Sequence, residues 1–340
     1  MSYGSEISYD TILVLLSITI LILATLLYIY CKEKPNAEQE SLPTKLAASS
    51  FSLIDIHAAT DSFNQRRVIG KGRLGIVYVA VMQPERDIVA VKRIHPRLVL
   101  SSNYPLLGFS STVKWLSLAD HPNVVPISGF CEAPGERIIV MEFQGMLSLD
   151  YYLHQSHENS SSSSLLDWGQ RLKIAAGAAR GIEYLHENMA PNVIHGCVKP
   201  TNILIDINFC AKMSDYGLHF LAPQERQGMV GHVDDEYWLG KESASKESDV
   251  YGFGVVLLEL LSGRRSDEGL IVKWGLPLIK EMRFSELLDQ RIALPYETTS
   301  LVRLAKLALA CVGNSRSNRP TICQVVTILD NLEIEIIFSI

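Results

Sequence analysis

Apolar and polar positions follow three rhythms along this chain. Residues 11–30 carry no charge and are mostly Leu, Ile and Val, a run of about the length that spans a bilayer as a helix. Residues 68–81 and 88–94 are rich in β-branched side chains and flank a turn at 83–87 that holds Pro84 and Asp87. Such runs, broken by turn residues, predict strands joined as hairpins. From Trp168 onward the long segments 168–188, 248–262, 301–311 and 321–332 repeat their apolar residues at helical spacing. Residues 51–63 share that spacing, and Ser52 stands three places before Asp55, where its hydroxyl can cap a helix. The expectation is an α+β chain, with a small β-rich part at about 64–141 and a larger helical part at about 145–335. Residues 32–50, polar and holding Pro35 and Pro43, read as a linker, and the Ser-rich tract 157–164 as a solvated loop.

The uncharged run reads as a retained anchor rather than a cleaved signal. No basic residue precedes it, it is longer than a signal's apolar core, and no small-residue cleavage site follows at once. Glu6 and Asp10 lie before it and Lys32, Lys34 and Lys45 after it. The positive-inside rule then places residues 1–10 outside, a transmembrane helix at 11–31, and the rest in the cytoplasm of a single-pass protein. Ten outer residues are too few for a folded ligand-binding domain, so any signal would arrive through a partner.

At 340 residues, 47% apolar and 20% charged, the chain can build a large core. Its net charge of −6 and lack of a Lys/Arg block argue against nucleic acid as a partner. Six cysteines are scattered without C-x-x-C or metal-ligand spacing, which suits reduced thiols in a cytosolic compartment.

Candidate chemistry begins at Gly70, Gly72, Gly75 and Val77, which fit the frame G-x-G-x-x-G-x-V. A dinucleotide-binding turn would be followed by a helix, whereas residues 76–81 alternate as a strand. Glycines between strands let backbone N–H groups approach phosphates. Lys92 ends the run Val89, Ala90, Val91, about twenty residues past Gly72, where a strand can aim an ammonium at the same phosphates. An exposed strand lysine would also fit Lys92 alone. Residues 193–202 then place His195, Lys199 and Asn202 in the frame H-R-D-L-x-x-x-N, and Asp215 opens Asp-Tyr-Gly.

These motifs, with the segment 51–63, the helix 166–186, the run 248–254 and Asn318-Arg-Pro320, give a chain that resembles the plant receptor-like kinases of the Pelle-related type over about residues 51–332. The resemblance implies a two-lobed protein-kinase fold over 51–335, ATP in the cleft, and other receptor or receptor-like kinases at the plasma membrane as partners. It further implies Ala90, Leu204, Glu142 and Phe143 (with Gln144) around adenine, Met141 as the gate of the back pocket, and Asn202 with Asp215 as Mg2+ ligands. Leu116, His195 and Tyr216 would form the hydrophobic spine, Glu236 would pair with Arg319, and Asp249 would brace the catalytic loop.

The departures from the family pattern fall on chemical positions. Cys197 stands where the catalytic aspartate belongs, Gly196 replaces its neighbouring arginine, and Thr112 takes the place of the glutamate that would hold Lys92. Met229 and Asp235 replace the threonine and proline of the substrate-docking segment, and no Ser or Thr lies between Tyr216 and Glu236. A positioned general base contributes about 10²–10⁴-fold to catalysis, and a thiol is a poor substitute for a carboxylate there. The expectation is a membrane-anchored pseudokinase that binds ATP and Mg2+ weakly and signals through partners. The competing expectation is an unconventional Ser/Thr kinase, because phosphoryl transfer depends chiefly on positioning and electrostatics.

Overall fold

Lys92 lies in the middle of a six-stranded sheet ordered β1-β5-β6-β4-β3-β2. The strands are β1 (Ser49–Ser50), β2 (Val68–Lys71), β3 (Gly75–Met82), β4 (Asp87–Ile94), β5 (Ile127–Ala133) and β6 (Glu136–Glu142). In this computed structural model the described residues are 19–21, 23, 25, 47–101, 108–143, 145–155, 165–222, 229–240, 243–266, 270–294 and 298–337. The chain divides into two units, Met1–Leu46 and Ala47–Ile340.

Within the first unit the described positions are helical, and the Thr25 hydroxyl donates to the Leu21 carbonyl at 3.0 Å. Among the described residues no helix is long and apolar enough to cross a membrane. Apart from these five positions, the expected span at 11–31 lies outside the described residues, as do most of the linker and the Ser-rich tract. The second unit begins earlier than the expected boundary at 51. Ser49 and Ser50 pair in parallel with Gly129 and Phe130 of β5, and the Ala48 N–H donates to the Ser117 hydroxyl at 2.8 Å.

Side chains on a strand alternate between faces, and the sheet uses both. Val91, Tyr78, Ala80, Ile138 and Val140 pack under helix α1 (Leu53–Thr60), whose start Ser52 caps by accepting from the Asp55 N–H. Ala90, Ile94, Ile139 and Met141 face the other way, toward helix α3 (Gly108–Leu116), which follows the short helix α2 (Pro96–Ser101).

The helical lobe packs around α6 (Lys246–Ser262), buried over most of its length and packed against α4 (Trp168–Glu183) and α9 (Thr299–Cys311), while α10 (Ile322–Ile337) packs against α4 and α9. The intervening helices are α5 (Asp235–Trp238), α7 (Leu270–Lys280) and α8 (Phe284–Leu287). Capping boxes start the two central helices, Asp167 with Gln170 on α4 and Ser245 with Ser248 on α6. A small sheet of β7 (Leu147–Ser148), β8 (Ile203–Ile205) and β9 (Ala211–Met213) carries the segments that meet the cleft.

One expected pairing is redrawn. Arg319 binds Asp234, not Glu236. Asp234 caps α5 from a buried position, so its carboxylate sits between Arg319 and Arg316 (2.9 Å), while the more exposed Glu236 reaches Arg316 at 3.2 Å.

Candidate active site

A cavity of about 640 Å³ opens between the two lobes. Of the expected residues, Gly70, Val77, Ala90, Lys92, Glu142, Phe143, Asn202, Leu204 and Asp215 line it. Gly72, Cys197 and Lys199 line an adjoining recess of about 200 Å³ that shares Gly70, Lys92, Asn202 and Asp215. Gly75 lines neither. It sits inside β3, where a Cβ would fall 2.1 Å from the Arg93 carbonyl oxygen. Its glycine therefore serves the close approach of β3 to β4. Gln144 lies outside the described residues.

Lys92 is buried, which rules out an exposed strand lysine, and its ammonium is ion-paired with the Asp215 carboxylate. Burial would raise the Asp215 carboxyl, but the adjacent Lys92 charge prevails and holds it below the ordinary range. Thr112 gives Lys92 nothing: its hydroxyl donates to the Gly108 carbonyl of its own helix at 2.9 Å. Asp215 has φ 63°, a left-handed conformation uncommon outside glycine but tolerated by Asp. Next to it, buried Tyr216 donates to the carbonyls of Val125 (3.1 Å) and Leu116 (3.4 Å). Tyr216 and Leu116 thus meet in the core, and His195 joins them through its carbonyl, which accepts from the Gly217 N–H at 3.2 Å.

The loop 193–202 is held by Asp249, at the start of α6. Its buried carboxylate accepts from the N–H groups of His195 (2.7 Å) and Gly196 (2.8 Å) and lies 2.9 Å from His186 Nε2. Burial opposes its ionisation, yet these hydrogen bonds keep its pKa lowered. The Asn202 amide nitrogen donates to the Cys197 carbonyl at 2.9 Å.

Cys197 and Met229, two of the departures from the kinase pattern, meet. The thiol is buried in an apolar cluster with Met229, Val233 and Tyr237. A carboxylate there would lie against fully buried Met229. Gly196 has φ 77°, and a Cβ on it would lie 2.5 Å from Nδ1 of half-buried His219. The imidazole occupies the space an arginine side chain would need at that position.

Sequence reasoning missed Lys71, Arg73 and Thr201, which line the recess, and Ile69 and Ser214, which line the main cavity. Lys71 and Arg73 stand at variable places of the glycine frame, and their charge was the available signal. Nothing in the pattern pointed to His219, because its role depends on the empty position at Gly196.

Comparison with known proteins agrees with this geometry. Residues 63–329 match the family of protein tyrosine and serine/threonine kinases. A probable serine/threonine-protein kinase of Arabidopsis thaliana, PBL6, is 36% identical over 313 residues, covering 87% of this chain and 72% of the relative. A PTI1-like tyrosine-protein kinase from the same plant is 36% identical over 297 residues, covering 83% and 80%. Among solved structures, the pseudokinase domain of BIR2, an immune regulator of the RLK/Pelle family, superposes with a TM-score of 0.71 at 30% identity. It covers 86% of this chain and 92% of that domain.

Proposed function

From the premise that this chain belongs to the protein tyrosine and serine/threonine kinase family, we propose that it is a membrane-anchored, receptor-like pseudokinase. In this reading it binds ATP, transfers phosphate poorly or not at all, and signals through protein partners. The observation that carries this is the burial of Cys197 against Met229. Where catalysis needs a carboxylate facing a substrate hydroxyl, the chain has an apolar contact, and Lys92 rests on Asp215 because Thr112 supplies no charge.

Nucleotide binding is supported by what remains. The cavity is of ligand-binding size. It has apolar walls at Val77, Ala90, Met141 and Leu204 and polar groups at Lys92 and Asp215, with the glycine loop alongside. For a magnesium ion the fit is partial. Asp215 offers a carboxylate, and Asn202 an amide oxygen, its nitrogen being used on Cys197. Both are hard oxygen donors of the kind Mg2+ prefers. In kinases the ion neutralises the β- and γ-phosphates.

The anchor is the run at 11–31, with residues 1–10 outside, the linker after it, and the kinase-like unit on the cytoplasmic side of the plasma membrane. Other receptor or receptor-like kinases are the proposed partners, since the relatives include kinases of this type. BIR2, itself a pseudokinase, gives a precedent within the same structural group. The test is nucleotide binding and phosphotransfer measured in parallel on the purified chain. Saturable ATP binding with transfer at background supports the proposal. Ordinary turnover would make the chain an unconventional Ser/Thr kinase, a reading favoured by the retained Lys92, Lys199, Asn202 and Asp215.

A further inference from the structure

The phosphate end of the cleft carries an unusual balance of charge. Among the described residues, the recess beneath the glycine loop is lined by Lys71, Arg73, Lys92 and Lys199, and by Asp215 as its one carboxylate. That is a formal excess of three positive charges in the recess itself, with the carboxylates Glu142 and Asp150 lining the adjoining cavity. Two nearby positions that would carry carboxylates in the kinase frame are neutral here. Cys197 is a buried thiol, and the Thr112 hydroxyl is spent on Gly108. Asp215 is itself engaged by Lys92, whose side chain is 5% exposed against 18% for the carboxylate.

A divalent cation entering this recess meets ammonium groups and must compete with Lys92 for Asp215. A triphosphate without its metal carries two more negative charges than its Mg2+ complex, and close opposite charges attract strongly in a partly desolvated site. We infer that this site takes its nucleoside triphosphate free of metal, with Lys71, Arg73, Lys92 and Lys199 supplying the neutralisation that Mg2+ supplies elsewhere. This deepens the nucleotide-binding reading above and rests on it.

The experiment is calorimetric titration of the full chain, in detergent, with ATP in EDTA and with ATP in excess MgCl2. The expected result is binding in EDTA tighter by about tenfold than in magnesium. Cys197→Asp, which restores a negative charge, should weaken the EDTA titration by about tenfold and change the magnesium titration less. If that variant does not fold, Lys199→Gln removes a cation instead and should weaken the EDTA arm by a similar factor. Binding that is weaker in EDTA than in magnesium overturns the inference while leaving the nucleotide site standing. Absence of binding in both arms overturns the nucleotide site as well.

Discussion

Cys197 and Thr112 act on one site from opposite lobes, and neither can be judged alone. Restoring the base with Cys197→Asp leaves Lys92 on Asp215, and restoring the ion-pair partner with Thr112→Glu leaves no base. Groups that serve one transition state give non-additive effects. The double variant is therefore expected to exceed the sum of the single variants in phosphate incorporation, measured against an Asp215→Ala blank; simple additivity would contradict the coupling. A second prediction concerns His195 and His219, whose pKa values burial lowers despite the nearby Asp249 charge. The unfolded chain binds a proton at each near an imidazole's ordinary value of about 6.5, whereas the folded chain keeps them neutral. Their contribution is present above that pH and is lost as pH falls below it. Melting temperature should drop from pH 7 toward pH 5, and His219→Leu should flatten the slope by up to about 1.4 kcal/mol per pH unit. Parallel profiles for the two proteins would contradict this. At this scale the sequence was informative about identity but not about contact. It showed that Cys197, Met229 and Gly196 depart from a pattern, but not that the thiol shares a buried cluster with the methionine or that His219 fills the space at Gly196.

Elements with a strong period were legible to within a few residues. The segment 168–188 became α4 with a wider turn at Tyr184–Asn188, and 301–311 became α9. Ser52 caps α1 where its spacing from Asp55 placed it. The strands β5 and β6 were not anticipated, because their identity as strands comes from pairing with each other and with β4 rather than from local alternation. Asp234 was missed because Glu236 has the right place in the motif, whereas burial is decided by the start of a short helix. Asp234→Ala should therefore cost about 3–5 kcal/mol, since it leaves the Arg319 charge buried and unpaired. Glu236→Ala, at a partly exposed pair, should cost less than Asp234→Ala. Chemical denaturation of both variants checks the order, and equal losses would return the pairing to Glu236.

For the molecule as a whole, the frame of glycines, Lys92, Asn202 and Asp215 revealed the fold because these residues converge from distant segments on one cleft, an arrangement the kinase fold provides. The proposed membrane arrangement is argued from composition, with charge absent from 11–30 and Lys32, Lys34 and Lys45 following it. Protease added to intact cells should leave the kinase-like unit uncut, and its digestion from outside would reverse the topology. The central claim concerns chemistry, and radiolabelled phosphate transfer tests it most directly. Purified chain is incubated with labelled ATP, a generic protein acceptor and Mg2+, beside the Asp215→Ala blank. The account predicts incorporation into acceptor and chain indistinguishable from that blank. Transfer well above it, at a turnover of about 1–100 per second as in ordinary kinases, would contradict the account.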